Sequence, residues 1–79
     1  MSLDYIKNGD SFAITFNSTS VVLHKDILRN AIFTIDEKSS YYSTLQLHLK
    51  DRTIIFGYIP KDKVEHYNRT LVTLLAAIQ

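Results

Sequence analysis

At 79 residues the chain is sized for one domain, and without cysteine it has neither a disulfide framework nor a thiolate metal site to staple it. Nine basic and eight acidic side chains leave a net charge of +1, which excludes a long-range field able to draw in phosphate backbones or an anionic membrane. No apolar run approaches the ~20 residues of a membrane span, so stability must come from packing, with self-association as a further source at this size.

The opening MSLDYIKNGD lacks the basic start and apolar middle of a secretory signal, so a cytoplasmic location is expected, in the host cytoplasm if the chain is viral or carried by a mobile element. The acceptor triplets Asn17-Ser18-Thr19 and Asn68-Arg69-Thr70 then carry no glycosylation meaning. Asn8-Gly9 is the strongest short hairpin signal, because a type I′ turn needs positive φ at both central residues. It would join residues 3–7 to residues 11–17. The alternative is a helical turn over residues 4–7 that Asn8-Gly9 terminates.

Phe12, Ile14 and Phe16 alternate with Ala13 and Thr15 at the period of a half-buried strand. A turn at Asn17-Ser18-Thr19 leads to the strand Val21-Val22-Leu23, and His24-Lys25-Asp26 reads as a bend. Ile27 and Leu28 anchor a short connection to a strand over residues 31–35, closed by the polar loop Asp36-Glu37-Lys38-Ser39-Ser40. Leu45, Leu47 and Leu49 then alternate with Gln46, His48 and Lys50, and TIIFGYIP (residues 53–60) returns after Asp51-Arg52. A two-residue loop sets Leu49 opposite Ile54, Leu47 opposite Phe56 and Leu45 opposite Tyr58, all on one face. A three-residue loop would reverse the second strand, since register parity decides the face of every side chain.

Pro60, with no ladder donor, ends that strand. Asp62 followed by Glu65 has the spacing of a capping box. Val64, Tyr67, Leu71, Leu74, Leu75 and Ile78 then recur at helical spacing, opposite Glu65, His66, Arg69, Thr70 and Thr73. The expected fold is a single α+β domain over residues 1–79. One antiparallel sheet of about five or six strands, open or strongly bent as a half-barrel, packs against one C-terminal amphipathic helix. The helix stripe covers the leucine-rich sheet face of its own chain in preference to a second helix.

Little here points to catalysis. The three histidines stand apart, with His24 and Asp26 the nearest approach to a ligand pair, and Gly9 and Gly57 are isolated glycines rather than a phosphate loop. No enzyme activity, metal or cofactor is expected. Nucleic-acid binding is the alternative function, with Lys50, Arg52, Lys61 and Lys63 as phosphate contacts and Tyr41 and Tyr42 as stacking rings. Acidic Asp51, Asp62 and Glu65 interleave with those cations, as on an ordinary solvated face.

The succession Asp26-Ile27, Ser43-Thr44-Leu45-Gln46-Leu47-His48-Leu49, Thr53-Ile54-Ile55-Phe56, a proline and an amphipathic helix resembles small pleckstrin-homology-like domains over residues 20–79. The resemblance is one of pattern. It implies a bent antiparallel sheet capped by a C-terminal helix, and action by binding partners; no basic phosphoinositide cluster matches, so lipid binding is not implied. The hairpin rhythm also resembles LytTR-type DNA-binding domains, whose segment after the hairpin has no counterpart in residues 60–79.

With the leucines, Ile54, Phe56 and Tyr58 under the helix, the reverse face carries Gln46, His48, Ile55, Gly57 and Ile59, joined by Ala13, Thr15, Val22, Ile32 and Thr34 from other strands. Adjacent exposed apolar residues there would mark an interface. The expected function is a non-enzymatic protein-interaction module. It would bind a second copy of itself, as a homodimer, or another protein, through Val22, Ile32, His48, Ile55 and Ile59 or through an edge strand. Gly57 would leave room for the second chain.

Overall fold

The computed structural model describes residues 3–79. Its first segment is strand: β1 (Leu3–Asn8) pairs antiparallel with β2 (Ser11–Phe16), with Asn8 directly opposite Ser11. The two-residue loop is therefore Gly9-Asp10, not Asn8-Gly9. Only Gly9 takes positive φ (62°), at the first central position, which is the type II′ pattern and corrects the expected I′ turn. The next loop, Asn17-Ser18, repeats the device with Asn17 at φ 56° and leads into β3 (Thr19–His24). Asparagine is one of the few residues that accepts this conformation.

The chain then leaves the sheet. His24 turns its ring back so that Nδ1 accepts from the Asp26 amide at 3.1 Å, capping a short helix α1 (Lys25–Arg29). Leu28 pins α1 into the core, and Asn30 closes it by donating from Nδ2 to the Asp26 carbonyl at 2.9 Å. What had read as a bend is thus a helix, and it prevents β3 from pairing with the following strand. β4 (Ile32–Glu37), β5 (Tyr42–His48) and β6 (Thr53–Pro60) make a second antiparallel sheet in the order β4-β5-β6, separate from β1-β2-β3. The expected single sheet is in fact two three-stranded sheets.

A 3-10 turn (Lys61–Lys63) precedes the final helix α2 (Val64–Ile78). The Asp62–Glu65 capping box does not form: Lys63 occupies the N-cap position and no side chain caps the helix. The apolar stripe otherwise packs as its spacing predicts, with Tyr67, Leu71, Leu74 and Ile78 buried, while Leu75 lies at the margin and stays exposed. Helix α2 touches both β1 and β4 and so covers both sheets of its own chain. Its Tyr67 ring meets Phe16 edge-on at 5.1 Å, and Arg29 of α1 donates from Nε to the Ile78 carbonyl at 3.2 Å. Phe12, Ile14 and Phe16 from the first sheet join Leu45, Leu47, Phe56 and Ile59 from the second in one continuous core.

The β5–β6 hairpin departs from expectation in its loop, which takes Leu49 out of the strand and shifts each expected pair, and at one bulged residue. Its loop spans residues 49–52, with the Leu49 amide bonded to the Arg52 carbonyl at 2.8 Å. This loop is also even, so Leu47 faces Ile54 and the inward side of Ile54 and Phe56 is as expected. Gln46 then pairs with Ile55 and Leu45 with Gly57, so Phe56 is the extra residue of a β-bulge. The bulge reverses the parity of everything after it. Tyr58, expected inside, is 63% exposed, and Ile59, expected at the interface, is fully buried. Gly57 sits at φ 142°, and a Cβ there would be driven into Nδ2 of Asn17. The space beside Gly57 belongs to the β2–β3 turn, not to a second chain.

Candidate functional surface

Strand register fixes which side chains stand beside one another on the outer face of the second sheet. At one end lie Ile32, His48 and Thr53; the next row is Thr34, Gln46 and Ile55; the third is Asp36, Thr44 and Tyr58. Tyr42 extends β5 beyond the third row. Their inward neighbours, Phe33, Leu45, Leu47 and Phe56, face the core.

The centre of this face is polar and internally satisfied. His48 bridges the strands on both sides, Nε2 at 2.9 Å from Thr34 Oγ1 and Nδ1 at 3.2 Å from Thr53 Oγ1. A hydroxyl can donate or accept, so either tautomer keeps both bonds. Gln46 donates from Nε2 to Thr44 Oγ1 at 3.0 Å, and although it faces outward it is only 7% exposed. Ile32 (64% exposed), Ile55 (60%) and Tyr58 stand at the perimeter, and Tyr58 packs edge-on against Tyr42 with centroids 4.8 Å apart. Beyond Ile32 and His48, α1 and the β5–β6 loop bound an open groove of about 810 Å3, lined also by apolar Ile27 and Leu49 and by polar Asp26, Asn30, Lys50 and Asp51. Ile32, Ile55 and Tyr58 leave apolar surface in water on this face, and covering such surface is favourable.

The expected interface residues divide into three groups. Ile32, His48 and Ile55 come together on this face. Ile59 lies in the core. Val22 stands on the outer face of the first sheet, in a row with Ala13 and the equally exposed Ile6. That row is flanked by Asp4, Thr15 and Ser20, which leaves it a narrow stripe. Sequence reasoning missed Ile6 and Tyr58. Ile6 was legible, because the hairpin at Gly9 sets it opposite Ala13; Tyr58 was not, because its side depends on the bulge.

The residues weighed for nucleic acid also divide. Lys50 and Arg52 sit in the loop after β5, whereas Tyr41, Tyr42, Lys61 and Lys63 gather at the other end of the hairpin, where the Lys61 amide bonds the Tyr41 carbonyl at 3.0 Å. A strand of this length separates the two groups by about 20 Å. The histidines have structural surroundings: His24 caps α1, His48 bridges strands and His66 packs against Tyr67. Among the described residues no group of three or more His, Cys, Asp or Glu side chains could hold a metal ion, and no helix is long and apolar enough to cross a membrane.

These features define a small α+β domain of two antiparallel meanders around one core, closed by a C-terminal helix. No family model matches the chain, and no curated protein or solved structure is significantly similar to it.

Proposed function

We propose that the protein is a non-enzymatic interaction module that binds a second copy of itself through the outer face of its β4-β5-β6 sheet. The observation that carries this reading is the pattern of that face, with exposed Ile32, Ile55 and Tyr58 beside two hydrogen-bonded sets, Thr34–His48–Thr53 and Gln46–Thr44. Asp36 is the one charged side chain in these three rows, and Ile55 and Tyr58 stand side by side along β6, with Ile32 across the face on β4. The resemblance to pleckstrin-homology-like domains enters only as the expectation that such domains act by binding.

Sedimentation velocity over a range of concentrations tests it. The wild-type chain should sediment as a dimer at high concentration, and Ile55→Lys should sediment as a monomer with an unchanged circular dichroism spectrum. A wild-type monomer throughout removes the reading. Salt-sensitive retention on single-stranded DNA, abolished by removing Lys50 and Arg52, would support nucleic-acid binding in its place.

A further inference from the structure

The four asparagines of the chain have unlike surroundings. Asn30 donates from Nδ2 to the Asp26 carbonyl at 2.9 Å, the amide of Asn17 fills the space beside Gly57, and Asn68 lies within α2. Asn8 is exposed, and its side chain has no hydrogen-bond partner among the described residues. It is also the asparagine that glycine follows; Ser18, Ala31 and Arg69 follow the others.

The neighbour matters because the backbone nitrogen after an asparagine is a nucleophile held beside that residue's own amide carbon, so the reaction is intramolecular. In the attack the bond from the Gly9 nitrogen to Asn8 Cγ forms and the Cγ–Nδ2 bond breaks. Nδ2 leaves as ammonia, taking the proton of the Gly9 amide, and a cyclic imide remains. Water then opens the imide. Addition at Cγ restores the backbone with aspartate at position 8; addition at the backbone carbonyl leaves the chain running through the side chain, as isoaspartate. A side chain on the following residue would crowd the attacking nitrogen. Gly9 has none, nothing lies within 4 Å of where a Cβ would stand, and among the described residues its amide donates no hydrogen bond.

The strand supplies the remaining barrier. In extended backbone, Cβ and the next nitrogen lie on different sides of the Cα–C bond, so Asn8 holds the Gly9 nitrogen away from its own Cγ. Closure waits for the last rung of the β1–β2 ladder, Asn8 opposite Ser11, to open. That rung ends an edge strand with a neighbour on one side only, where local opening is least costly. The far side of the turn is held: the Lys25 amide bonds the Asp10 carbonyl at 2.7 Å, and Lys25 Nζ lies 3.3 Å from Asp10 Oδ1. Asp10 thus ties the turn to the start of α1.

We propose that Asn8 is a site of spontaneous modification, with water as its co-reactant, and that the isoaspartyl product loosens α1 as well as the hairpin. Isoaspartate adds a backbone carbon just before Gly9-Asp10, so pairing position 8 with Ser11 competes with seating Asp10 on Lys25. The aspartyl product keeps the backbone and both contacts.

Incubation of the purified full chain at mildly alkaline pH tests this. Peptide mapping by mass spectrometry locates each amide-to-acid conversion, and enzymatic methylation specific for isoaspartate separates the two products. Conversion at Asn8 should run ahead of Asn17, Asn30 and Asn68 and yield isoaspartate. Hydrogen exchange in residues 25–29 should be faster in the isoaspartyl fraction than in the fresh chain, and unchanged in Asn8→Asp. Asn8→Gln, whose longer side chain closes a ring less readily, should keep its amide under the same treatment. Conversion at Asn8 no faster than at another asparagine, or aspartate as the sole product, would overturn the proposal. Isoaspartate at position 8 with unchanged exchange in residues 25–29 would overturn its link to α1.

Discussion

The bulge at Phe56 makes the two isoleucines of TIIFGYIP unequal, and their difference can be worked out in advance. Ile59 is fully buried, so Ile59→Ala removes roughly three methyl or methylene groups at ~0.8 kcal/mol each and leaves a cavity behind. The sum lies within the about 2–5 kcal/mol measured for such truncations. Ile55 keeps more than half of its surface in water, so Ile55→Ala should cost about 1 kcal/mol or less. A domain of this size has roughly 4–12 kcal/mol of stability in total, so the first change removes a large fraction and the second a small one. Urea unfolding followed by circular dichroism separates them: the midpoint should fall sharply for Ile59→Ala at unchanged slope, and hardly for Ile55→Ala. That small loss comes from the part of Ile55 buried within its own chain and should not change with protein concentration; a further loss that fades on dilution would report the proposed self-association. Equal losses at low concentration, or a larger loss at Ile55, would mean that β6 runs without a bulge and that the faces are assigned wrongly.

Gly57→Ala should destabilise by about 1–3 kcal/mol because its φ is one that side chains rarely adopt, and pairing it with Asn17→Gly should recover the steric part in a double-mutant cycle. Gly9→Ala, at positive φ but facing open space, should cost only about 1–2 kcal/mol, with no coupling to Asn17 in the same assay. His24→Ala should lower stability by about 1 kcal/mol and speed amide exchange in residues 26–29, and His24→Asn should restore both by capping in its place. Leu74→Ala should cost about 2–5 kcal/mol and Leu75→Ala far less in thermal melts, because only the first is enclosed by the sheets.

The parts of the fold legible in the sequence were those set by local periodicity. The alternation of Phe12, Ile14 and Phe16, the leucines of β5 and the stripe of α2 each name a buried face, and each packs as read. The division into two sheets was hidden because it turns on a histidine acting as a helix cap, a role usually filled by Ser, Thr, Asp or Asn. The bulge was hidden for a different reason. Nothing in Ile55-Phe56-Gly57 forces an extra residue into the ladder; Gly57 permits the backbone, and the core then selects Ile59 over Tyr58. Of the five expected interface residues, Ile32, His48 and Ile55 share one face because they precede the bulge or lie on other strands; Ile59, beyond it, turns into the core and Tyr58 takes its side.

The order β1-β2-β3 and β4-β5-β6 has a consequence for how quickly the protein folds. Every pairing joins strands that are neighbours in the chain, so each ladder closes over a short loop and no pairing waits for a distant segment. Such wiring lowers the mean sequence separation of contacts and favours rapid folding for a protein that is largely strand. Each meander alone leaves one apolar side bare; β6 meets β2 and β3 directly, and α2 closes the shared core across β1 and β4. Removing the grip of α2 should therefore slow the final consolidation while leaving both hairpin sets able to form.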